Sequence, residues 1–105
     1  MNVQELRYVV AVAQAGSINK AALNLYVSQS TLSRAVQEVE ARIGISLFQR
    51  TNKGAIPTHD GLEFIERARR LLLEFDQLEG QYYNHEKVEQ ETLLVATQRC
   101  TPVIL

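Results

Sequence analysis

The stretch "SQSTLSRAVQEVEARIG", residues 28–44, carries two opposed surfaces on one helical period. Leu32, Val36, Val39 and Ile43 recur at i, i+4, i+7 and i+11, an apolar stripe that has to be buried. Ser30, Ser33, Arg34 and Gln37 recur at i, i+3, i+4 and i+7 on roughly the opposite side, with no apolar residue among them. The segment therefore predicts a helix capped by Ser28, running to Arg42 or Ile43 and ended by Gly44, which packs through one face and keeps the other free. An unselected solvent face is usually rich in Lys and Glu. Short hydroxyls, an amide and one guanidinium instead let a helix backbone lie close to a surface of base edges and phosphates.

That buried stripe needs neighbours, and the chain before it supplies two. Leu6, Val9, Val10 and Ala13 predict a first helix over about Val3–Ala15, started by Asn2 and ended by Gly16. A second, short helix is expected from about Lys20 to Leu25, capped by Ser17 or Asn19, with Ala21 and Ala22 small enough to admit another helix closely. A short helix, the tight link "LYVSQS" and a helix with a polar face make a helix-turn-helix, whose second helix enters the major groove. Beyond Gly44, "SLFQR" and "AIPT" are short, apolar segments flanking the turn chemistry of "TNKG". They predict a hairpin wing over about 47–58 that carries Arg50 and Lys53 toward the phosphate backbone, with Pro57 at an edge.

Charge distribution agrees with this arrangement more than total charge does. The chain of 105 residues has a net charge of −1, but residues 1–60 hold six Lys/Arg against four Asp/Glu, and residues 61–105 hold five against eight. The first half is mildly basic and the second acidic. A hydrophobic content of 46% is ordinary for one globular domain. No apolar run approaches the ~20 residues of a membrane span, and the N-terminus lacks the basic segment of a signal peptide, so the default location is cytoplasmic with no membrane partner. Cys100 is the single cysteine and cannot form an internal disulfide. His59, Asp60, His85 and Cys100 are scattered, with neither metal-ligand spacing nor a nucleophile motif, so no catalytic residue, metal or enzyme activity is expected.

A long helical stretch follows, from about His59 to Val88, with Thr58 as its cap and Gly80 inside it. Phe64, Ala68, Leu71, Phe75, Leu78 and Tyr82 alternate spacings of four and three, a seam of a/d character widened by Leu62, Ile65 and Leu72. Nearly thirty residues extend about 40 Å, longer than a body of sixty residues can cover, so the outer seam is expected to pair with a second copy. "TLLVAT" reads as a strand after a break at "EQE".

The run from Leu6 to Gly61 closely resembles the N-terminal winged helix-turn-helix of LysR-type transcriptional regulators. The resemblance rests on Ala15-Gly16-Ser17, Ala21-Ala22, Val27-Ser28-Gln29, Leu32-Ser33-Arg34, Gly44, Leu47-Phe48-Gln49-Arg50, Thr58 and Gly61, in the family's order and spacing. Departures are Ser30 where proline is frequent, Val39 where leucine is usual, and Pro57 where an aliphatic residue is usual. The resemblance implies a mainly α fold: a three-helix core plus a β-hairpin wing, followed by a long linker helix that pairs two chains antiparallel. By residue it implies that Gln29, Ser30, Thr31, Ser33, Arg34 and Gln37 face the bases. Lys20, Ser28, Arg50, Thr51, Asn52 and Lys53 match places near the backbone.

On that reading residues 1–59 are the DNA-binding domain, with the helix-turn-helix at about 18–37, residues 60–88 the dimerisation helix, and residues 89–105 the start of a truncated effector-binding domain. The expected partners are double-stranded DNA, read at an inverted repeat, and a second copy of the chain, with a higher oligomer possible at full length. No cofactor is expected in this fragment, while the missing effector domain would take a small-molecule inducer. The rival reading is a winged helix that binds protein through the same face or through the long helix, without DNA.

Overall fold

The computed structural model describes residues 1–91. In chain order they form α1 (Val3–Ala15), α2 (Ile18–Leu25), α3 (Gln29–Ile43), β1 (Phe48–Thr51), β2 (Gly54–Pro57) and α4 (His59–Glu91). The fold is the expected mainly helical one: three helices, a two-stranded antiparallel hairpin and a long helix after it.

Each helix starts where a side chain satisfies its free amides. Asn2 and Glu5 form a reciprocal capping box, with Glu5 N–H donating to Asn2 Oδ1 at 2.8 Å and Asn2 N–H to Glu5 Oε1 at 3.2 Å. Ser17 Oγ accepts from Lys20 N–H at 3.0 Å. That settles the choice between Ser17 and Asn19 as cap, and α2 begins at Ile18, two residues before the expected start. Ser28 Oγ accepts from Thr31 N–H at 3.1 Å and starts α3, while Thr58 Oγ1 accepts from Gly61 N–H at 2.8 Å at the head of α4. α2 ends in Tyr26, which takes the left-handed conformation (φ 59°) and is 94% exposed. A left-handed non-glycine residue costs roughly 1–2 kcal/mol, here offset by its N–H bonding back to the carbonyls of Ala22 and Leu23.

A first compact unit runs Met1–Leu72. Its main core joins Val9 and Val12 of α1, Ala21 and Ala22 of α2, Leu32, Val36 and Val39 of α3, Leu47, Phe48 and Ala55 of the hairpin region, and Ile65 of α4. A second cluster sets Val10 against Ala68 and Leu72, with Val3, Leu6 and Phe64 packed around it. α1 is thus buried on two sides. At about 100° per residue, Val10 and Val12 lie about 200° apart around the axis, and both are buried. A single stripe of Leu6, Val9, Val10 and Ala13 understates this: Leu6 and Ala13 are only half-buried, and Val12 is fully buried.

Three expectations for the long helix change accordingly. The unit that contains the helix-turn-helix extends past residue 59 to Leu72, because Ile65, Ala68 and Leu72 recur at i, i+3 and i+7 and are buried in it. Phe64 and Ala68, assigned to the dimer seam, belong to the chain's own core: Ala68 is 2% exposed against Val10, so it has no surface left for a second copy. The helix also continues through Glu89–Glu91, where a break was expected; Glu and Gln are good helix formers. Among the described residues Leu73 begins a second unit, in which Leu73, Leu78, Tyr82 and Tyr83 are exposed and Phe75 half-buried. The strand expected at "TLLVAT" lies outside the described residues.

Candidate nucleic-acid interface

α3 presents the two faces its sequence demands. Leu32, Val36 and Val39 are buried, joined by Ala35, and Ile43 is half-buried. Ser30, Arg34 and Gln37 are exposed and Ser33 is half-buried. Gln29 and Thr31 are exposed in the first turn. Ser28, also exposed, is already committed to the helix start: besides taking the Thr31 amide, its hydroxyl donates to Thr31 Oγ1 at 2.8 Å and lies 3.2 Å from Ser30 Oγ. The Ser28 hydroxyl at the start of α3 is thus bonded to those of both Ser30 and Thr31.

The wing is a hairpin in the register Phe48↔Pro57, Gln49↔Ile56, Arg50↔Ala55 and Thr51↔Gly54, closed by Asn52 and Lys53. Arg50 shares a sheet face with Phe48 and Ala55, and the other face holds Gln49 and Ile56. Arg50, Thr51, Asn52 and Lys53 are all exposed. Thr51 orders the tip: its hydroxyl accepts from Lys53 N–H at 3.1 Å and donates to Gly54 O at 3.3 Å. Pro57 sits at the end of β2, where it removes no needed donor.

An isolated two-stranded hairpin is marginal at best, and this one is pinned both at its base and near its tip by contacts with other elements. Glu40, on α3, accepts from Leu47 N–H at 2.7 Å and from Phe48 N–H at 3.3 Å through one carboxylate oxygen. Ala55 N–H donates to Gly16 O at 2.9 Å. The approach is so close that a Cβ on Gly54 would stand 2.2 Å from that carbonyl oxygen, at a φ of +135° that side chains rarely adopt. Thr58 N–H donates to Leu47 O at 2.9 Å and its hydroxyl donates to Ser46 O. Gly61 is equally confined, since a Cβ there would lie 2.2 Å from Leu47 O.

The same region joins the wing to α3. Gly54 and Ala55 rest on Gly16 and Ser17; Ser17 starts α2; and in the first turn of α2, Asn19 Oδ1 accepts from Gln29 Nε2 at 2.7 Å. The start of α2, with exposed Lys20, is thus held by β2 on one hand and by the first residue of α3 on the other. Sequence reasoning gave Asn19 no role except as a possible cap and gave Glu40 none beyond its charge. Neither is apparent from local spacing, since each acts on a residue in another element.

Residues 3–62 match the family model described as a bacterial regulatory helix-turn-helix protein of the lysR family. The chain belongs to the LysR family. Among curated LysR relatives it is 44% identical over 72 residues to the HTH-type transcriptional regulator ClcR of Pseudomonas putida, a match covering 69% of this chain and 24% of that protein. It therefore spans about a quarter of the length of that relative. Two solved structures that share its fold are DNA complexes. BenM_DBD with catB site 1 DNA is 34% identical with a TM-score of 0.78, covering 85% of this chain and 96% of that one. The CbnR_DBD–DNA complex is 36% identical with a TM-score of 0.70, covering 86% and 99%. Among the described residues no helix is long and apolar enough to cross a membrane, and none of them form a cluster of three or more metal-ligating side chains.

Proposed function

We propose that this chain is the DNA-reading part of a LysR-family transcriptional regulator acting in the cytoplasm. α3 enters the major groove, with Gln29, Ser30, Thr31, Ser33, Arg34 and Gln37 toward the bases. Lys20, Ser28, Arg50, Thr51, Asn52 and Lys53 lie along the phosphates. The observation that carries the reading is the exposed polar face of α3, whose first turn is bonded to α2 and whose Glu40 holds the wing. The two neighbours of the same fold that are bound to DNA support it.

The second half of α4 supplies the partner surface. Leu71, Leu78 and Tyr82 are 59%, 55% and 62% exposed, and with half-buried Phe75 they keep the alternating four–three spacing of a helix seam. A two-fold dimer through this seam would favour an inverted repeat, its half-sites one helical turn (about 34 Å) or a multiple apart. In the longer regulator, an effector domain beyond α4 would take a small-molecule inducer.

Selection of bound sequences from a random duplex pool, followed by salt titration on the selected site, tests the reading. Saturable binding that falls steeply with salt is the expected outcome. Absent or salt-insensitive binding would replace it with the protein-interaction reading of the same fold.

A further inference from the structure

Gln29 is the first residue of α3, where a recognition helix points its side chains most directly at base edges. A free glutamine there has three rotatable bonds and can flip, offering its oxygen and its nitrogen in turn to the same point. In this chain it does not stand free. Gln29 Nε2 donates to Asn19 Oδ1 at 2.7 Å, a short bond for an amide pair. Asn19 is well placed to hold it. It lies one residue into α2, whose start is fixed by the Ser17 cap and, through Gly16, by the Ala55 amide.

We infer that Asn19 is a positioning residue for sequence reading: with its Oδ1 toward Gln29 it takes one N–H and holds that amide with its nitrogen toward α2. A glutamine amide has two N–H donors and one carbonyl oxygen with two lone pairs. With one hydrogen given to Asn19, one N–H and the whole of Oε1 remain. Those are the donor and the acceptor with which an amide reads N7 and N6 of adenine in the major groove. Asn19 thereby selects adenine at one position of each half-site without touching the base. This inference rests on the proposed DNA-binding function and on Gln29 as a base-facing residue.

The test is a base-preference profile from a random duplex pool for four proteins: the unchanged chain, Asn19→Ala, Gln29→Ala and the double variant. Asn19 is exposed and is not the helix cap, so Asn19→Ala should leave helix content and thermal midpoint unchanged. It should reduce the preference for adenine at one position per half-site about three- to tenfold, a part of what a bidentate amide contact supplies. Gln29→Ala should abolish that preference, and adding Asn19→Ala to it should change nothing more. Asn19→Asp keeps the acceptor, so it should retain the adenine preference while weakening all duplexes through its charge.

An unchanged profile in Asn19→Ala would overturn the inference. So would a uniform loss across all sequences with a reduced salt slope, which would make Asn19 a phosphate contact, and so would an effect of Asn19→Ala that persists without Gln29. Each of these leaves the DNA-binding reading intact. Failure of the unchanged chain to bind any duplex overturns both.

Discussion

Arg34 and Lys53 are both exposed cations, and the backbone under each assigns it a different task. Arg34 stands on a rigid helix beside Gln37 and Ser30, where two bonds to guanine are worth about 1–3 kcal/mol of discrimination. Arg34→Ala should relax preference at one position per half-site in a selection experiment, and an equal loss on all sequences would mark it as a phosphate contact. Lys53 stands in a two-residue turn beside Gly54, suited to neutralising charge. Lys53→Ala should weaken specific and random duplexes alike and reduce the slope of log affinity against log salt by about one ion; loss on the selected site alone would contradict its wing assignment. At this scale the polar face of α3 was legible because helical period fixes which side chains share a side. Asn19 was not, because its partner lies in another helix and no spacing rule links them.

The wing is the element whose integrity depends most on residues outside it. Its strands were legible from "SLFQR", "TNKG" and "AIPT", and the paired segments fall at Phe48–Thr51 and Gly54–Pro57 within the expected 47–58. What holds it was not legible. A glutamate on α3 satisfies two backbone amides at the entrance to β1, and local sequence gives no sign of a bond that spans elements. Glu40→Ala leaves both amides without that acceptor, at a cost of about 1–3 kcal/mol. Thermal unfolding should show a lowered midpoint, and affinity for all duplexes should fall as Arg50 and Lys53 lose their placement. Glu40→Gln keeps a neutral acceptor and should recover most of both. An unaltered midpoint in Glu40→Ala would mean the wing is held by Gly16 and Thr58 alone.

For the whole chain the decisive division lies within α4. The apolar residues of "HDGLEFIERARRLLLEFDQLEGQYY" are dense enough to form more than one stripe, so periodicity found a seam but could not say which side met the chain's own core. Burial separates them: Ile65, Ala68 and Leu72 serve the fold, while Leu71, Leu78 and Tyr82 remain exposed. Two substitutions should therefore behave differently. Ala68→Asp places a carboxylate against Val10 and should unfold the first unit, seen as loss of its cooperative thermal transition. Leu78→Asp should leave that transition in place and convert a dimer to a monomer in sedimentation at tens of micromolar. Burying each such side chain is worth roughly 1.5–3 kcal/mol, so a few from each copy can sustain micromolar pairing. A monomer for the unchanged chain under those conditions would remove the seam from the mechanism.

The second face of α1 also has a consequence in time. α1 is made well before α4, yet the buried residues that share a cluster with Val10, Ala68 and Leu72, both lie on α4. A ribosome adding about 5–20 residues per second brings out Leu72 about 3–12 s after Val10. Once Ile43 has been added the first three helices have their full sequence, but until Leu72 follows α1 carries an open apolar strip, a surface that invites a chaperone or another nascent chain. A polypeptide stopped at residue 59 would keep the strip for good, whereas one that runs to Leu72 contains the whole first unit and covers it.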